Sequence, residues 1–413
     1  RGVGLTATMR ASLGLAAYRA LFGRGSAPEF TARAARPSGE LVWLHAAEPG
    51  SGRAVGDLAR RMSVARPGLH TLVTTGPEVS AARVNPKNDN VMVEELPAEH
   101  PDAVAAFLDY WEPDVAIWIW GGLRPNLILA ASERQIPMFL IDAGSDGFDA
   151  RRDRWLPEVP RQLINQFSRV LTRSDQAHLR VAQMGCPLDR IEMMAPLQPT
   201  GQALSVAQSD LDEVGQAVKD RPVWLAAGVD PDELPVVIEA HQEALKSAHR
   251  LLLILEPGTE ADGEAFASAV QQAGLRFVRW SEGEMPADEN QVLLADLNGE
   301  LGLWYRIAPV SFLGHSLFSG GRGCDPYEAA ALGSAVLYGP NVRAYLQSYS
   351  RLAAAGAARI VNDADGLGRA VSQVIAPHHA ARMAMAGWEV VSRGATVADR
   401  VFDLVQSALD GTD

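Results

Sequence analysis

The chain has little that could cross-link it or hold a metal. Its 413 residues include two cysteines, Cys186 and Cys324, in different halves and without CxxC spacing. That excludes a disulfide framework and a cysteine-ligated zinc, and it fits a reducing cytoplasm. The nine histidines form no HExxH or HxxxH group, so no metal or cofactor is expected. Positive charge is scarce too, with 37 Lys and Arg against 50 Asp and Glu and a net charge of −13. No dominant basic face can be built from that balance, which argues against a nucleic-acid partner. No uncharged apolar run reaches the roughly 18 residues of a spanning helix. Repeats and low-complexity segments are absent as well.

What is present is a folded composition, 47% apolar and 21% charged. The length suits two domains of about 200 residues each. Short apolar strands alternate with helical stretches throughout. In the first half they are 41–46, 71–75, 91–95, 115–120, 138–141, 170–172 and 191–194. In the second they are 223–227, 251–255, 276–278, 292–295, 310–313, 335–338 and 359–361. Runs apolar at both parities belong to parallel sheets covered on both faces. Two such sets predict an α/β protein of two doubly wound, Rossmann-like domains facing across a cleft. Pro196 and Pro199 mark the boundary, giving domains at 31–200 and 201–392. A last helix over 393–413, with Val401, Leu404, Val405 and Leu409 on one stripe, is expected to cross back to the first domain.

Leu5, Met9, Leu13, Ala17 and Leu21 recur every four residues, with Arg10, Arg19 and Arg24 off the stripe. This predicts an amphipathic helix within 1–30, either packed on its own domain or lying on a membrane surface with arginines at lipid phosphates. Arginines interrupt the apolar region and no cleavage site follows, so a signal peptide is not expected.

Residues 314–340, GHSLFSGGRGCDPYEAAALGSAVLYGP, are the densest in chemistry. A strand runs into a glycine-rich loop, and Asp325 and Glu328 then stand at a helix start. Glycine lets backbone approach a ligand, and helix amides suit an anion. A carboxylate there can accept ribose hydroxyls. Ligands in open α/β sheets bind beyond the carboxyl ends of strands, which selects Asn298, Gly299, Glu300, Gly314, His315, Ser316, Gly321, Arg322, Asp325 and Glu328 as donor-nucleotide residues. Asn298, Gly299 and Glu300 are read as opening a helix. On the other domain the same rule selects Glu48 as a catalytic candidate and Ser51, Trp120 and Arg124 as acceptor-binding candidates, with the Trp120 indole placed to stack on a sugar or chain.

Three segments carry a resemblance. WLHAAEPGSGRA (43–54) is similar to WIHAASVGEVRA, DLNGELGLWYRIA (296–308) to DTMGELGLLYAIA, and residues 312–333 to FVGGSLVPIGGHNPLEPAALG. These patterns belong to the Kdo (3-deoxy-D-manno-octulosonic acid) transferases, and the resemblance spans about 41–387. It implies a GT-B glycosyltransferase that moves Kdo, or a related acidic sugar, from a CMP donor to a lipid A precursor or related glycolipid. It also implies peripheral contact with the cytoplasmic side of the inner membrane.

Several family loops differ here. The glutamate that would deprotonate the acceptor aligns with Ser51, which cannot ionise near neutral pH, so Glu48, the only carboxylate in that loop, takes the role of base. ExELWPN becomes WGGLRPN, STHPGEE becomes AGVDPDE (227–233), PRHPER becomes EPGTEAD (256–262) and GNLKFD becomes APLQPTG. These changes leave a second reading open, a homologue that binds nucleotide or a partner without turnover. A UDP-sugar epimerase is a third reading, disfavoured by its different phosphate-site pattern.

Overall fold

The computed structural model describes residues 18–20, 22, 23, 25–27, 29–46, 52–75, 90–145, 158–199, 204–219 and 221–411. The chain divides into two compact units, residues 1–199 with 394–413, and residues 200–393.

Unit 1 holds seven parallel strands: β1 (Leu41–Ala46), β2 (His70–Thr75), β3 (Val91–Glu95), β4 (Val115–Ile119), β5 (Met138–Ala143), β6 (Arg169–Thr172) and β7 (Ile191–Met193), in the order β3-β2-β1-β4-β5-β6-β7. All six residues of β1 are buried. Leu41 and Trp43 enter one core cluster, Val42, Leu44 and Ala46 the other. This two-sided burial is what an apolar run at both parities demands.

The helix Pro377–Leu409 is continuous, without the break expected near 393. Its Val397, Ala398, Val401, Leu404 and Val405 share a core with Val42, Leu44 and Val73 of unit 1. Arg400 clasps the Glu192 carboxylate at 2.9 and 3.0 Å, and Arg66 meets Asp410 at 2.9 Å. Within 1–30, residues 18–20, 22, 23, 25–27, 29 and 30 are described. Tyr18 is buried against Phe22, and Arg19 pairs with Glu133 at 2.6 Å.

Unit 2 repeats the plan with β8 (Val223–Val229), β9 (Leu252–Pro257), β10 (Phe277–Arg279), β11 (Val292–Leu294), β12 (Val310–Leu313), β13 (Ala335–Tyr338) and β14 (Ala358–Ile360), in the order β10-β11-β9-β8-β12-β13-β14. Trp224 and Ala226 of β8 face one core cluster, Val223, Leu225 and Ala227 the other. The strand order reverses between β8 and β12, and a doubly wound sheet opens its ligand crevice at such a point.

Candidate functional site

At the carboxyl ends of β8 and β12 the described residues enclose a cavity of about 450 Å³. Asp230, Asp232 and Glu233 line it from the β8 loop, and His315, Arg322 and the glycines at 320, 321 and 323 from the β12 loop. The two loops meet because both neighbouring glycines are bare. A Cβ at Gly314 would fall 2.3 Å from the Gly228 carbonyl oxygen, and Gly228 itself has φ +60°.

Glu233 organises this end of the sheet. It is 1% exposed, and its carboxylate accepts the amides of His315, Ser316 and Leu317, each at 2.8 Å, and of Asp230 at 3.2 Å. Three successive amides at a strand end would otherwise attract a ligand anion. Here the protein supplies the anion itself. Ser316, read from the sequence as a ligand contact, is fully buried, and its hydroxyl donates to the Leu313 carbonyl and accepts the Gly339 amide. Its side chain is therefore taken up in joining the turn after β12 to the residue that follows β13.

His315 sits at φ +52°, a left-handed conformation uncommon outside glycine. Its Nδ1 lies 2.6 Å from the Asp230 carboxylate. Arg322 is exposed at the cavity, and Gly321 has no room for a side chain, since a Cβ would sit 2.2 Å from the His315 carbonyl oxygen. Asp325 caps the helix Pro326–Ala331 by accepting the Tyr327 amide at 3.0 Å. Glu328, in the first turn, is half-buried.

Beneath the glycine loop lies Glu256, at the end of β9, accepting the Gly228 amide at 2.7 Å. Burial pushes its carboxyl up to about 7, with the Gly228 bond opposing. Burial, with Glu256 and Glu328 adding, also pushes the Cys324 thiol well up, so Cys324 is a packed residue rather than a nucleophile. The raised Glu256 carboxyl makes stability pH-dependent. Between the ordinary 4.5 and about 7 the unfolded chain gives up this proton while the folded chain keeps it. Stability therefore falls as pH rises through that window, by about 3 kcal/mol at most. His45 and His241, held neutral by burial down to about 3 and about 4, act in the opposite sense as pH falls below 6.5. Glu256→Gln should abolish only the first effect. Thermal midpoints at pH 5 and 8 check this: the wild type loses stability toward pH 8 relative to the variant.

The second donor loop differs from its expected form. Asn298 and Gly299 form an exposed turn, and the helix that follows, Leu301–Ile307, has seven residues and no side-chain cap from Glu300. The Asn298 amide goes to Glu260 at 2.8 Å. The three residues do open this helix, with Glu300 as its N-cap through the backbone carbonyl that accepts the Leu303 and Trp304 amides, but they do not line the described cavity. The strand-end acid before them, Asp296, is taken up by Ser281 and Arg279. Tyr305 of that helix is fully buried close to Cys324, Glu328 and Glu256, which ties this segment to the glycine loop from below.

In unit 1, Glu48 and Ser51 lie outside the described residues. Trp120 is 4% exposed within the core cluster that holds Trp43 and Trp118, so the indole expected to stack on an acceptor belongs to the core instead. It occupies the same sheet face as Trp118, and its amide closes on the Ile141 carbonyl. Arg124 donates to Glu99 at 2.7 Å and to the Pro97 carbonyl at 2.8 Å, while Glu99 also accepts the Asn126 amide. That guanidinium holds a loop in place. Glu99 is buried, which raises its carboxyl against the pull of Arg124.

Sequence reading missed Asp230 and Glu233 as site residues. The signal was the DPDE segment, whose proline and glutamate match the HPGE of STHPGEE once that motif is set on 228–234 by the shared proline.

Residues 19–198 match the family described as 3-Deoxy-D-manno-octulosonic-acid transferase (kdotransferase). The chain is 26% identical over 385 residues to the 3-deoxy-D-manno-octulosonic acid transferase of Haemophilus influenzae, covering 92% of this chain and 90% of that protein. It is 28% identical over 392 residues to the enzyme of that name from Bordetella pertussis, covering 91% and 89%. Among solved structures, the C-terminal CMP-Kdo binding domain of WaaA from Acinetobacter baumannii is 25% identical, with a TM-score of 0.42, covering 45% of this chain and 98% of that one.

Proposed function

We infer that this chain, a divergent member of the Kdo transferase family with two Rossmann-like units of the GT-B class, is a glycosyltransferase. It moves Kdo or a related acidic sugar from a CMP-linked donor to a lipid A precursor or a related glycolipid. The observation that carries this reading is the coincidence of similarity along most of the chain with a glycine-walled cavity at the switch point of the second sheet. Unit 2 is assigned the donor, with His315, Gly321, Arg322 and Glu328 as contacts and no metal or cofactor. Glu48 is assigned the removal of the acceptor proton. Peripheral contact with the inner membrane through the N-terminal segment belongs to the same proposal. No helix among the described residues is long and apolar enough to cross a membrane.

A thermal-shift panel of CMP, CDP, UDP and GDP tests the reading, because a ligand of the folded state raises its midpoint by mass action. CMP should give the largest rise; no rise with any of the four would count against a nucleotide site. Glu328→Ala should weaken CMP binding by about 1–3 kcal/mol, the scale of hydrogen bonds to a charged group. Unchanged affinity by calorimetry would remove Glu328 from the site.

A further inference from the structure

Asp230 and His315 line the cavity and Gly258 lies against the His315 ring, and all three depart from the family pattern at once. Read in the register of the shared proline, Asp230 stands at the histidine of STHPGEE. By the same register Gly258 stands at the first arginine of PRHPER, after Pro257. His315 stands at the second glycine of FVGGSL. In the fold these positions touch. The His315 Nδ1 is 2.6 Å from Asp230, and a Cβ built on Gly258 would lie 2.9 Å from the His315 Nε2 and 3.1 Å from its Cε1. A side chain at 258 and the His315 imidazole in its present orientation compete for the same space.

The backbone records the same exchange. Position 315 is left-handed, the conformation glycine adopts freely, yet it carries a histidine. A side chain held in such a place is a reason to look for a function. An ionised carboxylate only accepts, so the ring gives its Nδ1–H to Asp230, and that bond orients the Nε2 edge over Gly258.

Resting on the donor-site reading above, we propose that Asp230, Gly258 and His315 form one specificity-determining unit in which the His315 imidazole, occupying space beside the position of the family arginine, binds the donor's anionic group. Asp230 is the positioning residue and Gly258 provides the space. An imidazolium donates from both nitrogens, one to Asp230 and one to the anion. The anion is a phosphate or a sugar carboxylate, two groups of the same donor.

The test is calorimetry on the full chain with CMP, free Kdo and cytidine as separate probes. His315→Gly should keep its thermal midpoint, since glycine suits that backbone, and should lose about 10-fold or more in affinity for CMP if the phosphate is read, or for Kdo if the carboxylate is. Cytidine affinity should not change. Gly258→Arg alone should weaken the same probe, whereas His315→Gly with Gly258→Arg should recover it. Asp230→Asn should weaken that probe in the wild-type background and do nothing in the His315→Gly background, which a merely structural aspartate would not do. Wild-type binding of CMP or Kdo with His315→Gly unchanged within twofold overturns this proposal and leaves the donor site standing. Equal loss for cytidine overturns the anion assignment. A wild type that binds none of the probes overturns the donor-site reading, and this proposal with it.

Discussion

Glu233→Ala should unfold the donor end of unit 2 more readily than any other single change in the described cavity. The substitution leaves the amides of His315, Ser316 and Leu317 facing one another without an acceptor in a site that is 1% exposed. Hydrogen bonds to a charged group contribute roughly 1.5–3 kcal/mol each. The loop relaxes in part, so the three together come to about 3–5 kcal/mol. For a unit of this size that lowers the thermal midpoint by roughly 6–20 °C. Glu233→Gln should not rescue it, because each carboxylate oxygen accepts two amides and whichever becomes NH2 then opposes two donors. CMP binding should vanish with either variant, since His315 and the glycine run hang from the same turn. A fall under about 2 °C for Glu233→Ala would show that water substitutes for the carboxylate.

Glu48→Gln should lower turnover by about 10²–10⁴ while CMP affinity persists, the range for removing a general base. Glutamine keeps the shape and the hydrogen-bonding reach of the residue but cannot take the acceptor proton. The strand that precedes Glu48 in sequence, β1, borders the switch point of the first sheet, where the order turns from β1 to β4. Ser51→Glu is the reciprocal experiment, returning the family residue to its place, and should raise turnover if one base is what limits the reaction. Transfer assays with CMP-Kdo and a lipid A precursor separate the outcomes. Unchanged turnover in Glu48→Gln would move the base to another acid, with Asp142 or Asp146 next in line. No transfer by the wild type would instead favour a binding protein without turnover.

The strands were legible in the sequence because a parallel strand covered on both faces has no polar parity to hide it. Each of the fourteen expected runs is a strand, with bounds shifted by at most two residues. The glycine loop was legible too, because glycines at 314, 320, 321 and 323 punctuate it and Asp325 carries a capping signature. Trp120 was misread because a strand-end position is silent about which face its side chain takes. The helix opened at Glu300 was legible, but its distance from the cavity was not, because which strand-end loops converge depends on the order of the strands.

The sequence by itself determined the two α/β sets, the switch-point loops and the family that this chain resembles, since all of these are local patterns of apolar parity, glycine and motif. Only the tertiary structure decided which charges meet. Glu233 lies 82 residues before the His315 amide it accepts, and Asp230 lies 85 before the imidazole it holds. They converge because β12 returns to pair with β8 after β9, β10 and β11 have been laid on its other side. Strand order is set by crossovers and packing across the whole sheet, and no window of sequence contains it.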